Sequence, residues 1–103
     1  MARVQVPGLN VDMSQVRRAL VVLSIEKALL DIGKQDYDAV IERLETEHHC
    51  YLRDCCENPS CLQNVLRELF GRSSESIIKS IGKNLEEFSD NKQIGRFLEV
   101  ICS

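Results

Sequence analysis

Apolar residues recur every three or four positions along most of this chain, a spacing that predicts helices rather than strands. The first segment covers about residues 13–32. Asp12 or Ser14 stands where a cap for the free amide groups is needed. Gly33 follows as a stop, since glycine takes the left-handed conformation at low cost. Val16, Ala19, Leu20, Leu23, Ala28 and Leu30 give this segment an apolar surface broader than one contact face needs. Such a helix is either buried on more than one side or meets a partner chain. Val16, Leu20 and Leu23 are the expected partner surface.

A second helix is predicted over 35–48, with Tyr37, Val40, Ile41 and Leu44 at i, i+3, i+4 and i+7. His48 falls on the same stripe three turns after Tyr37. Residues 52–57 read as one short helix at a corner. Asn58-Pro59 then opens a helix over 59–70, because proline fits the first helical position where no N–H is needed. Its buried side is Leu62, Val65, Leu66, Leu69 and Phe70, and Gly71 ends it. Ser73-Ser74 starts a segment over 73–88 with Ile77, Ile78, Ile81, Leu85 and Phe88 on one face. Ser89-Asp90 is the expected cap of a last helix over 90–102, carrying Ile94, Phe97, Leu98 and Ile101. Gly82 and Gly95 interrupt these two helices at a local cost near ~1 kcal/mol each; either close helix approach or simple tolerance accounts for them. The fold class is therefore all-α, a compact bundle of about five to six helices. Residues 11–103 form a single domain behind a flexible lead-in at 1–10, where Pro7-Gly8 signals a turn.

Composition narrows the class of function. With 103 residues the chain is one domain of modest core. Apolar residues make up 44% and charged residues 28%, the balance of a folded domain rather than a disordered one. The net charge of −3 leaves no basic footprint for nucleic acid. Lys79, Lys83, Lys92 and Arg96 make only a weak patch, diluted by Glu86, Glu87 and Asp90. Glu42, Glu45 and Glu47 read as a solvated face. The N-terminal residues lack a secretory apolar core, and the run Ala19–Leu23 is too short to span a bilayer. The expected setting is cytoplasmic, with no membrane partner.

One stretch carries chemistry: "HHCYLRDCCENPSC", residues 48–61, with both histidines and four of the five cysteines. A metal centre would draw on His48, His49, Cys50, Cys55, Cys56 and Cys61. The spacing lacks the paired knuckles of structural zinc sites, and adjacent Cys55 and Cys56 on a helix point about 100° apart. A disulfide is a better fit, either Cys50 with Cys55 or Cys56 with Cys61, across a corner where the backbone brings Cα atoms close. An odd cysteine count precludes full pairing within one chain, and a cytosol keeps thiols reduced. The simplest reading makes Cys55, Cys61 and Cys102 small apolar core residues, with Cys50 or Cys56 exposed. His49 beside Cys50 is a poor catalytic pair, because adjacent residues rarely aim at one atom. There is no phosphate loop or dinucleotide fingerprint. No catalytic set, metal or cofactor is expected.

The run Ala28-Leu29-Leu30-Asp31-Ile32-Gly33, then Tyr37, Cys50-Tyr51-Leu52-Arg53-Asp54-Cys55, Asn58-Pro59, Leu62 and Val65-Leu66-Arg67-Glu68-Leu69-Phe70-Gly71 resembles the archaeal "Nitrosopumilus output domain" family. Ile77-Ile78-Lys79-Ser80-Ile81 and Leu85-Glu86-Glu87-Phe88 extend the likeness, which spans roughly residues 20–101. The resemblance implies a small all-helical archaeal domain, found alone or attached to signalling proteins, with no enzymatic activity attached to it. Cys50 and Cys55 match a cysteine pair of that family; Cys56, Cys61 and the two histidines have no counterpart in it. The expected function is a non-enzymatic interaction or output module that binds a protein partner or forms a homodimer. The alternatives are a redox- or metal-responsive switch at residues 48–61 and a helical DNA-binding output domain.

Overall fold

Helical periodicity in the sequence becomes helix in three dimensions wherever a cap or a stop agrees with it. The computed structural model describes residues 13–88 and 90–102, with no strand among them. The expected lead-in at 1–10, Asp12 and Ser89 lie outside the described residues, as does the Ser14 side chain. The α-helices are α1 (Met13–Ile32), α2 (Lys34–Glu47), α3 (Pro59–Phe70), α4 (Ser74–Leu85) and α5 (Lys92–Cys102). Three 3-10 turns lie between them, at Leu52–Asp54, Gly71–Ser73 and Glu86–Phe88.

Several expected boundaries move, each for a local reason. The corner segment 52–57 is not an α-helix. Only Leu52–Asp54 is helical there, held by the Asp54 amide on the Tyr51 carbonyl at 2.9 Å and the Asp54 carboxylate on the Tyr51 amide at 3.1 Å. The helix expected over 73–88 tightens into a 3-10 turn after Leu85. The last helix begins at Lys92 rather than 90, because the Asn91 side chain caps it. Asn91 Oδ1 accepts from the Gln93 amide at 2.9 Å and from Ile94 at 3.3 Å. Gly33 is not left-handed: its φ of 161° is extended backbone, and its amide closes α1 on the Leu29 carbonyl at 3.0 Å. Gly71 does take positive φ, 55°, where α3 stops.

The core forms where the stripes of these helices face inward. Val21, Ile25, Ala28 and Leu29 supply it from α1, and Val40 and Leu44 from α2. Leu62, Val65 and Leu66 come from α3, Ile77, Ile78, Ile81 and Leu85 from α4, and Ile94, Phe97 and Ile101 from α5. α1 packs mainly on α4 and α2, while α3 packs on α5, α2 and α4. Among the described residues the buried polar side chains are Ser24, Gln63 and Ser74. Ser24 Oγ donates to the Leu20 carbonyl at 2.9 Å, and Asn84 Nδ2 reaches across from α4 to the Ser24 carbonyl at 3.3 Å. Gln63 Nε2 donates to the Val100 carbonyl at 3.0 Å, tying α3 to the end of α5. A methyl placed on Gly82 would meet Leu98 Cδ2 at 3.9 Å, an ordinary contact. Tolerance, not close approach, therefore accounts for Gly82.

Candidate functional site

Two features stand out from this core: a corner that gathers sulfur, and the outward side of α1. The corner begins where α2 ends without a glycine. The Leu44 carbonyl accepts from the amides of His48 at 3.2 Å and Cys50 at 3.0 Å. His49 between them takes φ 51°, a left-handed value that histidine tolerates better than most side chains. This reversal folds Cys50 back beneath the helix instead of letting the chain run on.

The turn that follows presents a second thiol to the same place. Cys50 Sγ donates to the Tyr51 carbonyl at 3.6 Å, and Cys55 Sγ reaches that same oxygen at 3.7 Å. Cys61, in the first turn of α3, is close enough to influence the Cys50 thiol. Burial pushes the Cys50 thiol up from its ordinary 9.0 to about 11, and Cys61 adds to the shift. Burial also drives the Cys55 thiol upward, with Cys50 contributing. All five cysteines are free thiols.

The burial pattern differs from expectation. Cys50, Cys55 and Cys56 are buried, Cys61 is half-buried and Cys102 is exposed. Cys102 sits on the outer side of α5, so it is not a core residue. Cys56 is buried away from the cluster. Burial raises its thiol and Glu57 adds to this, while Arg17 and Arg18 act the other way. Arg18 grips Glu57 through two bonds, Nε to Oε1 at 2.7 Å and Nη2 to Oε2 at 2.9 Å, fastening the corner to α1. Cys55 and Cys56, adjacent in sequence but outside any α-helix, thus meet different neighbours.

The histidines do not join the sulfur. His48 Nε2 is buried, lies 3.6 Å from Glu68 Oε1 on α3, and has no hydrogen-bond partner among the described residues. Arg43 reaches the same carboxylate oxygen at 3.6 Å. His49 is exposed. Among the described residues no group of three or more His, Cys, Asp or Glu side chains is arranged to hold a metal ion. Glu42, Glu45 and Glu47 are exposed, the solvated face expected of them.

The second feature is the outer side of α1. At 100° per residue, Val21, Ile25, Ala28 and Leu29 point inward, and Val16, Ala19, Leu23 and Leu30 point the opposite way. Leu23 is 61% exposed, Leu30 50% and Val16 36%. Of the three residues expected to form a partner surface, Val16 and Leu23 lie on this open side, and Leu20 is partly buried against the core. Sequence reasoning named the stripe but not Leu30 as part of its exposed end. Its seven-residue interval from Leu23 was the available signal.

The remaining concavities are shallow or mixed in charge. A groove of about 620 Å³ between the end of α3, the start of α4 and the end of α5 is lined by Arg67, Arg72, Glu75, Lys79 and Ile101, with Cys102 at its side. Among the described residues no helix is long and apolar enough to cross a membrane. No protein-family model, curated protein or solved structure matches the chain.

Proposed function

We propose that this protein is a non-enzymatic helical interaction module that associates with a second copy of itself through the outer face of α1. One observation carries the reading: α1 is apolar on two opposite sides, and among the described residues the bundle covers only one of them. Large apolar side chains left open in a contiguous stripe mark association sites. Val16, Leu23 and Leu30 recur at seven-residue intervals, so they stay on one line down about 20 Å of helix. Two such stripes crossing antiparallel place Leu23 against Leu23 on the two-fold axis and Val16 of each copy against Leu30 of the other. Lys27 flanks the stripe, where its methylenes cover apolar surface and its ammonium stays in water. A single helix face is smaller than the roughly 800 Å² per partner of a standard interface, so association is expected in the micromolar range or weaker. Resemblance to an output-domain family agrees with a module of this kind acting in the cytoplasm beside signalling proteins.

Sedimentation equilibrium over a range of micromolar concentrations tests the reading. A monomer–dimer equilibrium that Leu23→Glu abolishes is the expected result. A strict monomer across that range overturns self-association.

A further inference from the structure

The corner after α2 holds a chemical group that the interaction surface does not use, and it stands independently of that reading. Two sulfur atoms, Cys50 Sγ and Cys55 Sγ, converge on one carbonyl oxygen, and Cys61, at the start of α3, lies close enough to act on the Cys50 thiol. The three differ in access. Cys50 and Cys55 are buried, while Cys61 is half-buried and is the one of the three that keeps surface toward solvent.

We infer that these residues form a thiol–disulfide exchange site, in which Cys61 meets a small disulfide such as oxidised glutathione and Cys50 resolves the adduct into a Cys50–Cys61 disulfide. In the first step the Cys61 sulfur, as thiolate, attacks one sulfur of the small disulfide. The S–S bond of the reagent breaks, and its other half leaves as a thiolate that takes up a proton. In the second step Cys50 loses its proton and attacks the Cys61 sulfur. The mixed disulfide breaks, and the second small thiol departs. Two protein thiols are oxidised and one disulfide is reduced to two thiols, so atoms and electrons balance.

The assignment of roles follows from placement. Cys56 is adjacent to Cys55 in sequence but faces Glu57, Arg17 and Arg18, so it takes no part. Cys102 stands on the outer side of α5 and has no such thiol cluster around it. Cys55 is fully buried and serves as a neighbour to Cys50 rather than as the entry thiol. Burial pushes the Cys50 thiol upward, which makes the second step the slow one. Its rate rises with pH as the reactive thiolate becomes more populated. The product disulfide joins the chain just beyond α2 to α3 and locks the corner between them.

The test uses the full native chain, reduced and then exposed to oxidised glutathione. After alkylation, combined cleavage behind Arg and Glu residues separates Cys50 on peptide 48–53 from Cys55 and Cys56 on 54–57, and from Cys61 on 58–67. Peptide 48–53 joined to 58–67, with Cys55, Cys56 and Cys102 recovered alkylated, is the expected pattern. Alkylation of all five thiols overturns the inference, and so does any linkage through 54–57. Cys50→Ser is expected to halt at a lasting glutathione adduct on Cys61, and Cys56→Ser to leave the pattern unchanged. If Cys50→Ser does not fold, the wild-type peptide map decides alone.

Discussion

Leu23 and Leu29 lie six residues apart on one helix and differ in what surrounds them. Leu29 is 0% exposed and Leu23 is 61% exposed. Truncating Leu29 to alanine removes core contacts and leaves a cavity, which costs about 2–5 kcal/mol. In a domain of this size that lowers Tm by roughly 10 °C or more. Leu23→Ala removes little from the fold, and alanine favours helix at least as well as leucine, so Tm in dilute solution stays within a degree or two of wild type. Its effect falls on association instead. Full burial of a leucine is worth about 1.5–3 kcal/mol, and 61% of Leu23 remains to be buried, or about 1–2 kcal/mol per copy. Two copies meet at the axis, so the dimerisation constant weakens by about 30- to 700-fold. Thermal unfolding followed by circular dichroism, with sedimentation of the same samples, measures both quantities. Melting is read at concentrations below association, because dimer formation itself raises Tm. The reasoning fails if Leu23→Ala lowers Tm as far as Leu29→Ala does, since Leu23 would then be core. It also fails if wild type dimerises and Leu23→Ala dimerises equally well.

Three further outcomes follow from the packing. Gln63→Ala removes the donor that α3 offers to the Val100 carbonyl at 3.0 Å, with an expected loss of about 1–3 kcal/mol; faster amide exchange through α5 at unchanged exchange in α2 is its signature. Gly82→Ala is expected to stabilise α4 by about 0.5–1 kcal/mol, because the added methyl meets only an ordinary contact with Leu98; a lower urea midpoint would contradict it. Stability is expected to fall as pH rises above about 9. Burial raises the Cys50 thiol from 9.0 to about 11 and also raises Cys55, so between those values the folded chain keeps protons that the unfolded chain has lost. The contribution is complete below the ordinary thiol value and disappears as pH passes through the raised one. Urea unfolding at pH 8 and pH 10.5 measures the change, and the difference should shrink in a Cys50→Ala variant.

The helices were legible where two local signals coincide. The helix expected over about 59–70 has those bounds because Asn58-Pro59 and Gly71 bracket an apolar stripe, and α1 ends at Ile32 before Gly33 as expected. The corner was not legible in the same way. Its course depends on His49 adopting a left-handed backbone, and nothing in a histidine doublet announces that choice. The two disulfides considered, Cys50 with Cys55 and Cys56 with Cys61, rest on closeness in sequence. In the fold the Cys56 thiol feels Glu57, Arg17 and Arg18, and the Cys50 thiol feels both Cys55 and Cys61.

By itself the sequence determined that this chain is helical, and it fixed the direction in which each apolar residue leaves its helix, because 3.6 residues per turn is a local property of the backbone. It also showed that α1 is apolar around more than half its girth. Which of those sides meets α2 and α4, and which stays open, was settled only by the packing of elements distant in sequence. The gathering of Cys50 and Cys55 near Cys61 was settled the same way, since the first two lie outside any α-helix and no periodicity relates them to Cys61 on α3; their positions follow from the contacts that hold the corner against α1 and α3.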